Sequence, residues 1–205
     1  MGRRSDHSRD DLRAMILEAA RAIVATDGLR GLTARRIAKA IGYSPGTLYN
    51  FFANIDELIL HVNAKTLDVV YDRLSAASGR GATPEAVLRA FARAYIDCTR
   101  EQTHLWDAVL EHRLPEGQDL PDWYTMRIGR LFSLVEDALV PLLGPGSQEP
   151  RRRAARVLWS ALHGLSSLAL SRKLEIVSEE SVEAMADHLV TTYLAGLGIN
   201  TTGAG

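Results

Sequence analysis

The sequence has little of what staples, interrupts or anchors a chain. Its 205 residues include one cysteine, Cys98, and seven prolines. A lone cysteine excludes an internal disulfide, and next to Asp97 it has no assignable base that would make it a nucleophile. Runs of alternating β-branched residues between Asn-Gly or Asp-Gly turns are absent, which argues against hairpins and sheets. The longest apolar stretch, Val157 to Leu170, is about 14 residues with Ser and His inside it, short of the roughly 20 that span lipid, so no membrane segment is expected. The opening MGRRSDHSRDD lacks the apolar core of a secretion signal, and the expected compartment is the cytoplasm. There is no GxSxG, no phosphate-cradling glycine loop, no HExxH and no cysteine pair, so neither a catalytic residue, a cofactor nor a metal site is expected. His104, Asp107 and Glu111 share a helical face at spacings of three and four, and they read as a solvated polar face rather than a ligand set.

What is present is helical periodicity from end to end. With 46% hydrophobic and 24% charged residues, the chain can bury a core, and it reads as an all-α protein of about nine helices. Net charge is −1, but the charges are segregated. Residues 1–50 hold nine Lys and Arg against five acids, or +4, which leaves −5 on the remainder. A basic head on an acidic body suits a polyanion held at one end only.

The first helix is expected from about Ser8 to Thr26, with Leu12, Ile16, Ala19, Ala20 and Ile23 on one stripe and Gly28 as its stop. Thr33 then caps a short helix with Ile37, Ala38 and Ile41 inward, ended by Gly42, which can take the positive φ of a tight turn. Ser44-Pro45 is a cap followed by a first-turn proline, opening a third helix through about Phe51. Asn54 with Glu57 forms a capping box for a fourth, along Ile55, Leu58, Ile59, Val62, Thr66 and Val69. It ends near Ser78. A linker at 79–82 precedes Thr83-Pro84-Glu85, the start of a fifth helix. Further helices are expected near 103–113, 122–140, 151–173 and 179–196. The domains implied are 1–53, a connecting helix 54–78, and 79–205.

Two short helices around a glycine turn, the second with its own cap, spell a helix-turn-helix. The run LTARRIAKAIGYSPGTLYNFFANIDEL, Leu32 to Leu58, carries Thr33, Ile37-Ala38, Gly42, Ser44, Gly46-Thr47, Leu48-Tyr49 and Phe52 at fixed spacing near the N-terminus. In these elements it resembles the TetR family of bacterial transcription regulators. That resemblance implies a repressor, dimeric on a palindromic double-stranded DNA operator and released by a small-molecule effector. One departure is Ile55, where many members have a lysine. Leu48 and Phe52, four apart, face inward, leaving Pro45, Gly46, Thr47, Tyr49 and Asn50 toward the groove. Gly46 and Thr47 permit close approach to base edges, and Asn50 can reach adenine. Thr33 and Ser44, at helix N-termini, suit phosphate. Tyr49 is a phosphate clamp by resemblance. Arg35, Arg36 and Lys39 supply positive charge where the second helix would cross the DNA backbone, and Arg3 and Arg4 are candidates for a minor-groove arm.

The segment WSALHGLSSL, Trp159 to Leu168, resembles the Trp-His-Gly signature of one group of TetR C-terminal domains. By that resemblance the last two helices pair with their copies in a homodimer. Leu158, Leu162, Leu165 and Ala169 make a stripe on one, and Val182, Met185, Ala186, Leu189, Tyr193 and Leu194 make one on the other. An effector pocket is expected where aromatic and polar groups mix: Tyr95, Cys98, His104, Trp106, Leu110, His112, Trp123, Met126, Arg127, Trp159, His163 and Ser167. Such a mixture suits a small, largely apolar effector with a few fixing polar contacts.

Overall fold

A computed structural model describes residues 8–79, 81–146 and 148–199. Arg3 and Arg4 lie outside the described residues. Within them every regular element is helical, eleven α-helices and one 3-10 turn with no strand. The nine expected helices are all present. The other two are single turns, α8 (Val140–Leu143) and α10 (Leu174–Val177), in segments that read from sequence as breaks. At α8 the N–H groups of Leu142 and Leu143 both bond the Leu139 carbonyl, so the chain keeps one more turn before Gly144 ends it.

The chain folds into two units. The first comprises residues 1–66 and 102–124. It contains α1 (Arg9–Asp27), a 3-10 turn (Leu29–Gly31), α2 (Ala34–Ile41), α3 (Pro45–Leu48), the first half of α4 (Ile55–Ala77) and α6 (Thr103–Glu111). Local chemistry starts each helix. Ser8 and Asp11 form a reciprocal capping box on α1, and the Thr33 hydroxyl accepts from the Arg36 N–H at 3.2 Å. The Asn54 side chain accepts from the Glu57 N–H at 2.8 Å, while the Glu57 carboxylate reaches back to the Ala53 N–H at 2.5 Å. Each such cap is worth roughly 1 kcal/mol. Ile16, Ala20 and Val24 of α1 pack with Ile37, Ala38, Leu48, Phe52, Leu58 and Val62 in a closed core.

Helix α6 belongs to this same core, through Leu105 and Ala108. The sequence reading places it in a second domain starting at residue 79, so the boundary is corrected. The reason is a set of polar ties that apolar periodicity does not reveal. Arg21 donates to the Gln102 side chain at 3.0 Å and His104 Nδ1 meets the Ala25 carbonyl at 3.1 Å. The buried Asn63 amide donates to the Ala108 carbonyl at 3.0 Å.

The second unit comprises residues 67–101 and 125–205. It holds the rest of α4, α5 (Pro84–Glu101), most of α7 (Asp122–Ala138), α8, α9 (Gln148–Leu170), α10 and α11 (Val182–Ile199). Its core is built from Leu67, Val70 and Leu74, from Leu88, Phe91, Tyr95 and Ile96, and from Ala155, Leu158, Ala186 and Val190. Helices α5 and α11 are antiparallel and laced by charge. Arg89 donates to Thr191 at 2.5 Å, Arg93 to Asp187 at 2.6 Å and Arg100 to Glu183 at 2.6 Å. The Arg100 guanidinium holds the Glu183 carboxyl below its ordinary range. These pairs are largely exposed, so each contributes at most about 1 kcal/mol and mainly sets register. Helix α7 is tied to α4 by Arg130, which sits 3.8 Å over the Tyr71 ring and bonds Asp68 at 3.0 Å.

Candidate nucleic-acid interface and ligand cavity

In the first unit, Gly42 ends α2 with φ 77°, a conformation that only glycine adopts without strain. The Gly42 and Tyr43 N–H groups bond carbonyls of the last turn of α2. The chain then reverses into Ser44 and α3, with Leu48 and Phe52 buried as expected. Helix α3 proper is only four residues long, shorter than read from sequence. The chain continues past it as tight turns in which the N–H groups of Tyr49, Asn50 and Phe51 bond the carbonyls of Gly46, Thr47 and Leu48. Nine of the ten sequence-selected contact residues are exposed, among them Tyr49 at 54%, and Thr47 is half-buried.

Their side chains are not equally available. Arg36 is drawn back onto the first helix, bonding Asp27 and, at 3.0 Å, the Gly31 carbonyl. The Ser44 and Thr47 hydroxyls lie 3.1 Å apart and bond one another, so Ser44 marks the start of α3 without a side-chain bond to its backbone. Two residues outside the sequence-selected set support this surface. Arg9 donates to the Asn50 carbonyl at 3.2 Å with its guanidinium 5.5 Å from the Phe51 ring. Arg13 lies 5.1 Å from the Phe52 ring and 3.1 Å from His61 Nε2. Their spacing of four on α1 is visible in the sequence, but nothing local says that the face they share meets residues 50–61.

The second unit contains a cavity of about 60 Å³, lined by Leu74, Leu88, Phe91, Ala92, Tyr95, Val135, Leu158, Trp159, Leu162, Leu189 and Val190. Of the twelve residues read as pocket from sequence, Tyr95 and Trp159 line it. His163 adjoins both: its Nδ1 shares a hydrogen bond with the Tyr95 hydroxyl at 3.0 Å, and its ring stacks on Trp159 with centroids 5.6 Å apart. Cys98 is buried beside Arg73, and burial pushes its thiol up. Met126 is 66% exposed, Arg127 pairs with Asp68, and Ser167 is exposed. His104, Trp106, Leu110, His112 and Trp123 all fall in the first unit and do not meet this cavity. There His104 meets the Ala25 carbonyl at 3.1 Å, His112 lies 3.7 Å from Asp56 and the Trp123 ring stacks on His61 at 4.6 Å. His104, Asp107 and Glu111 form no metal cluster, nor do any three His, Cys, Asp or Glu side chains among the described residues.

The two stripes of the last long helices divide within one chain. Leu158, Val182 and Ala186 are buried, and Leu162 and Leu189 are half-buried against the cavity. Leu165, Ala169, Met185, Tyr193 and Leu194 stay half-exposed, and Val157 and Leu168 beside them are 44% and 39% exposed. No helix among the described residues is long and apolar enough to cross a membrane.

Residues 16–62 match the model of bacterial regulatory proteins of the tetR family, and residues 88–193 match that of the tetracyclin repressor-like C-terminal domain. The chain is 25% identical over 186 residues to the uncharacterized HTH-type transcriptional regulator YobS of Bacillus subtilis (strain 168), covering 91% of this chain and 92% of that one. A Rhodococcus sp. RHA1 protein of unknown function shares the fold at a TM-score of 0.76 and 20% identity, over 96% of this chain and 100% of that one. The TetR family transcriptional regulator PfmR from Thermus thermophilus does so at 0.59 and 19%, over 88% and 97%. With a family model on more than half of its length and a helix-turn-helix in its first unit, this chain belongs to the TetR family of transcriptional regulators.

Proposed function

We propose that the protein is a cytoplasmic repressor that binds a palindromic operator as a two-fold dimer and leaves it when a small, largely apolar molecule enters the second unit. Residues 44–50 enter the major groove, with Tyr49 on phosphate and Gly46, Thr47 and Asn50 at base edges. Arg35 and Lys39 supply phosphate contacts. The half-exposed residues of α9 and α11, together with Val157 and Leu168, pair with their copies.

The observation that carries the release step is that Leu158, Leu162 and Leu189 belong both to the cavity wall and to these two helices. A space of about 60 Å³ is well below the roughly 300–1,000 Å³ of ordinary ligand sites. A ligand must therefore push the wall outward, and five of its eleven lining residues stand on the pairing helices α9 and α11. The chain passes between the units at residues 66–67, 101–102 and 124–125, so α4, the α5–α6 junction and the start of α7 all carry the displacement to the head. A ligand preferring the released form about 100-fold shifts the equilibrium by roughly 2.7 kcal/mol.

The test is titration of cavity-binding compounds into an operator complex, with occupancy read from Trp159. Dissociation that tracks occupancy supports the reading. Occupancy without loss of operator affinity, for every compound that binds, removes it.

A further inference from the structure

The cavity states what chemistry its occupant must have. Of its eleven lining side chains, nine are pure hydrocarbon and none carries a charge. The polar atoms among them are the Tyr95 hydroxyl and the Trp159 indole N–H. The charged residues of the flanking helices α5 and α11 are engaged with one another: Arg89 with Glu85 at 2.7 Å, Arg93 with Asp187 at 2.6 Å and Arg100 with Glu183 at 2.6 Å. A carboxylate or ammonium brought into this space would lose its hydration and find no lining counter-charge, a cost that hydrocarbon contact does not offset. A neutral oxygen has a place. The Tyr95 hydroxyl, only 3% exposed as a residue, shares its hydrogen bond with His163 Nδ1 at 3.0 Å. A phenol oxygen carries one proton and two lone pairs, so it can exchange or share that bond with a ligand hydroxyl or carbonyl.

We propose that the ligand of this cavity is an uncharged, mostly hydrocarbon molecule bearing one hydroxyl or carbonyl oxygen, and that this oxygen bonds at Tyr95 while Trp159, Leu162 and Leu189 move to admit the hydrocarbon. The proposal rests on the sensor reading above and narrows it from apolar to uncharged. It makes Tyr95 a specificity residue, and Trp159, whose ring stacks on His163 behind it, the part of the wall nearest the ligand's polar end. A fatty-acid-like anion and a lipophilic cation are both excluded.

Three probes that differ only at the head group separate these classes: 1-octanol, octanoate and octylammonium, titrated calorimetrically into the full-length protein. Working at pH 8 keeps octanoate and octylammonium both charged, so the three probes differ in head-group charge as intended. Octanol should bind at least 10-fold more tightly than either ion. Tyr95→Phe should weaken octanol about 3- to 10-fold, the range of one neutral hydrogen bond, and leave the two ions unchanged. Leu162→Trp, which fills the cavity, should abolish octanol binding. Octanoate or octylammonium binding as tightly as octanol to the wild type overturns the proposal, whatever the folding of the variants, and so does an unchanged octanol affinity in a folded Tyr95→Phe. Neither outcome touches the sensor reading. Failure of octanol to bind the wild type overturns the proposal and leaves the sensor reading to its own operator titration.

Discussion

The His61 imidazole lies flat against the Trp123 indole, ring centroids 4.6 Å apart and planes 9° from parallel. His61 is on α4 and also lies 5.6 Å edge-on from Phe52 and 3.1 Å from an Arg13 guanidinium nitrogen. Trp123 thus joins the segment after α6 to the helices that carry the helix-turn-helix. Because Trp123 is half-buried, Trp123→Ala should destabilise the first unit by about 1–3 kcal/mol, less than for a fully buried tryptophan. Urea unfolding followed by far-UV circular dichroism checks this, and an unchanged midpoint would mean the stack is incidental.

Tyr49 is proposed to clamp phosphate and Thr47 to read a base edge, so their loss should be felt differently. Tyr49→Ala should weaken binding to all duplexes alike, whereas Thr47→Ala should cost about 1–3 kcal/mol and relax preference at one position of each half-site. Competition binding against a panel of single-base operator variants distinguishes the two patterns. Wild-type affinity in both variants would take residues 44–50 out of the groove.

Arg35 and Arg36 are adjacent on α2, and Arg36 is tied back to Asp27 of α1. Arg36 is held by Asp27 and the Gly31 carbonyl, so Arg36→Ala should cost stability, at most about 1 kcal/mol for so exposed a pair, with little change in the salt dependence of DNA binding. Arg35→Ala should leave stability alone and lower the slope of log K against log salt by about one. Equal slopes for the two variants would contradict this assignment.

How far the sequence reaches differs between neighbouring residues for a physical reason. Caps, glycine stops and inward stripes are local, so Thr33, Gly42, Asn54-Glu57 and the buried pair Leu48 and Phe52 are all legible. Periodicity says that Leu105 and Ala108 share a face, but not which helices they meet, and α6 therefore falls on the wrong side of the expected boundary. The same limit scatters the expected pocket. His104 and Trp123 have a binding-site composition, yet they meet the Ala25 carbonyl and the His61 ring in the first unit. Nothing in the spacing of Arg36 distinguishes a phosphate contact from a tie to Asp27 nine positions earlier.

The first unit should lose stability in mild acid through His112. Burial holds its imidazole below the ordinary value, against the opposing pull of Asp56 with Oδ1 3.7 Å from Nε2. The folded state thus favours neutral His112, while the unfolded chain takes up a proton near pH 6.5. Stability is full above that value and falls as pH drops from about 6.5 through the lower folded value. Thermal melts from pH 8 to 5 should fall less steeply for His112→Phe than for wild type. Parallel curves would assign the acid sensitivity elsewhere.

Whether two chains read one palindrome is decided by selecting bound duplexes from a random pool with the full-length protein and measuring the stoichiometry on the recovered sequence. The expected result is two inverted half-sites with centres about one helical turn apart or a multiple of it, two chains per duplex, and a single half-site bound at least 10-fold more weakly. Recovery of an asymmetric site held as tightly by one chain as by two would contradict the dimeric regulator proposed from α3, α9 and α11.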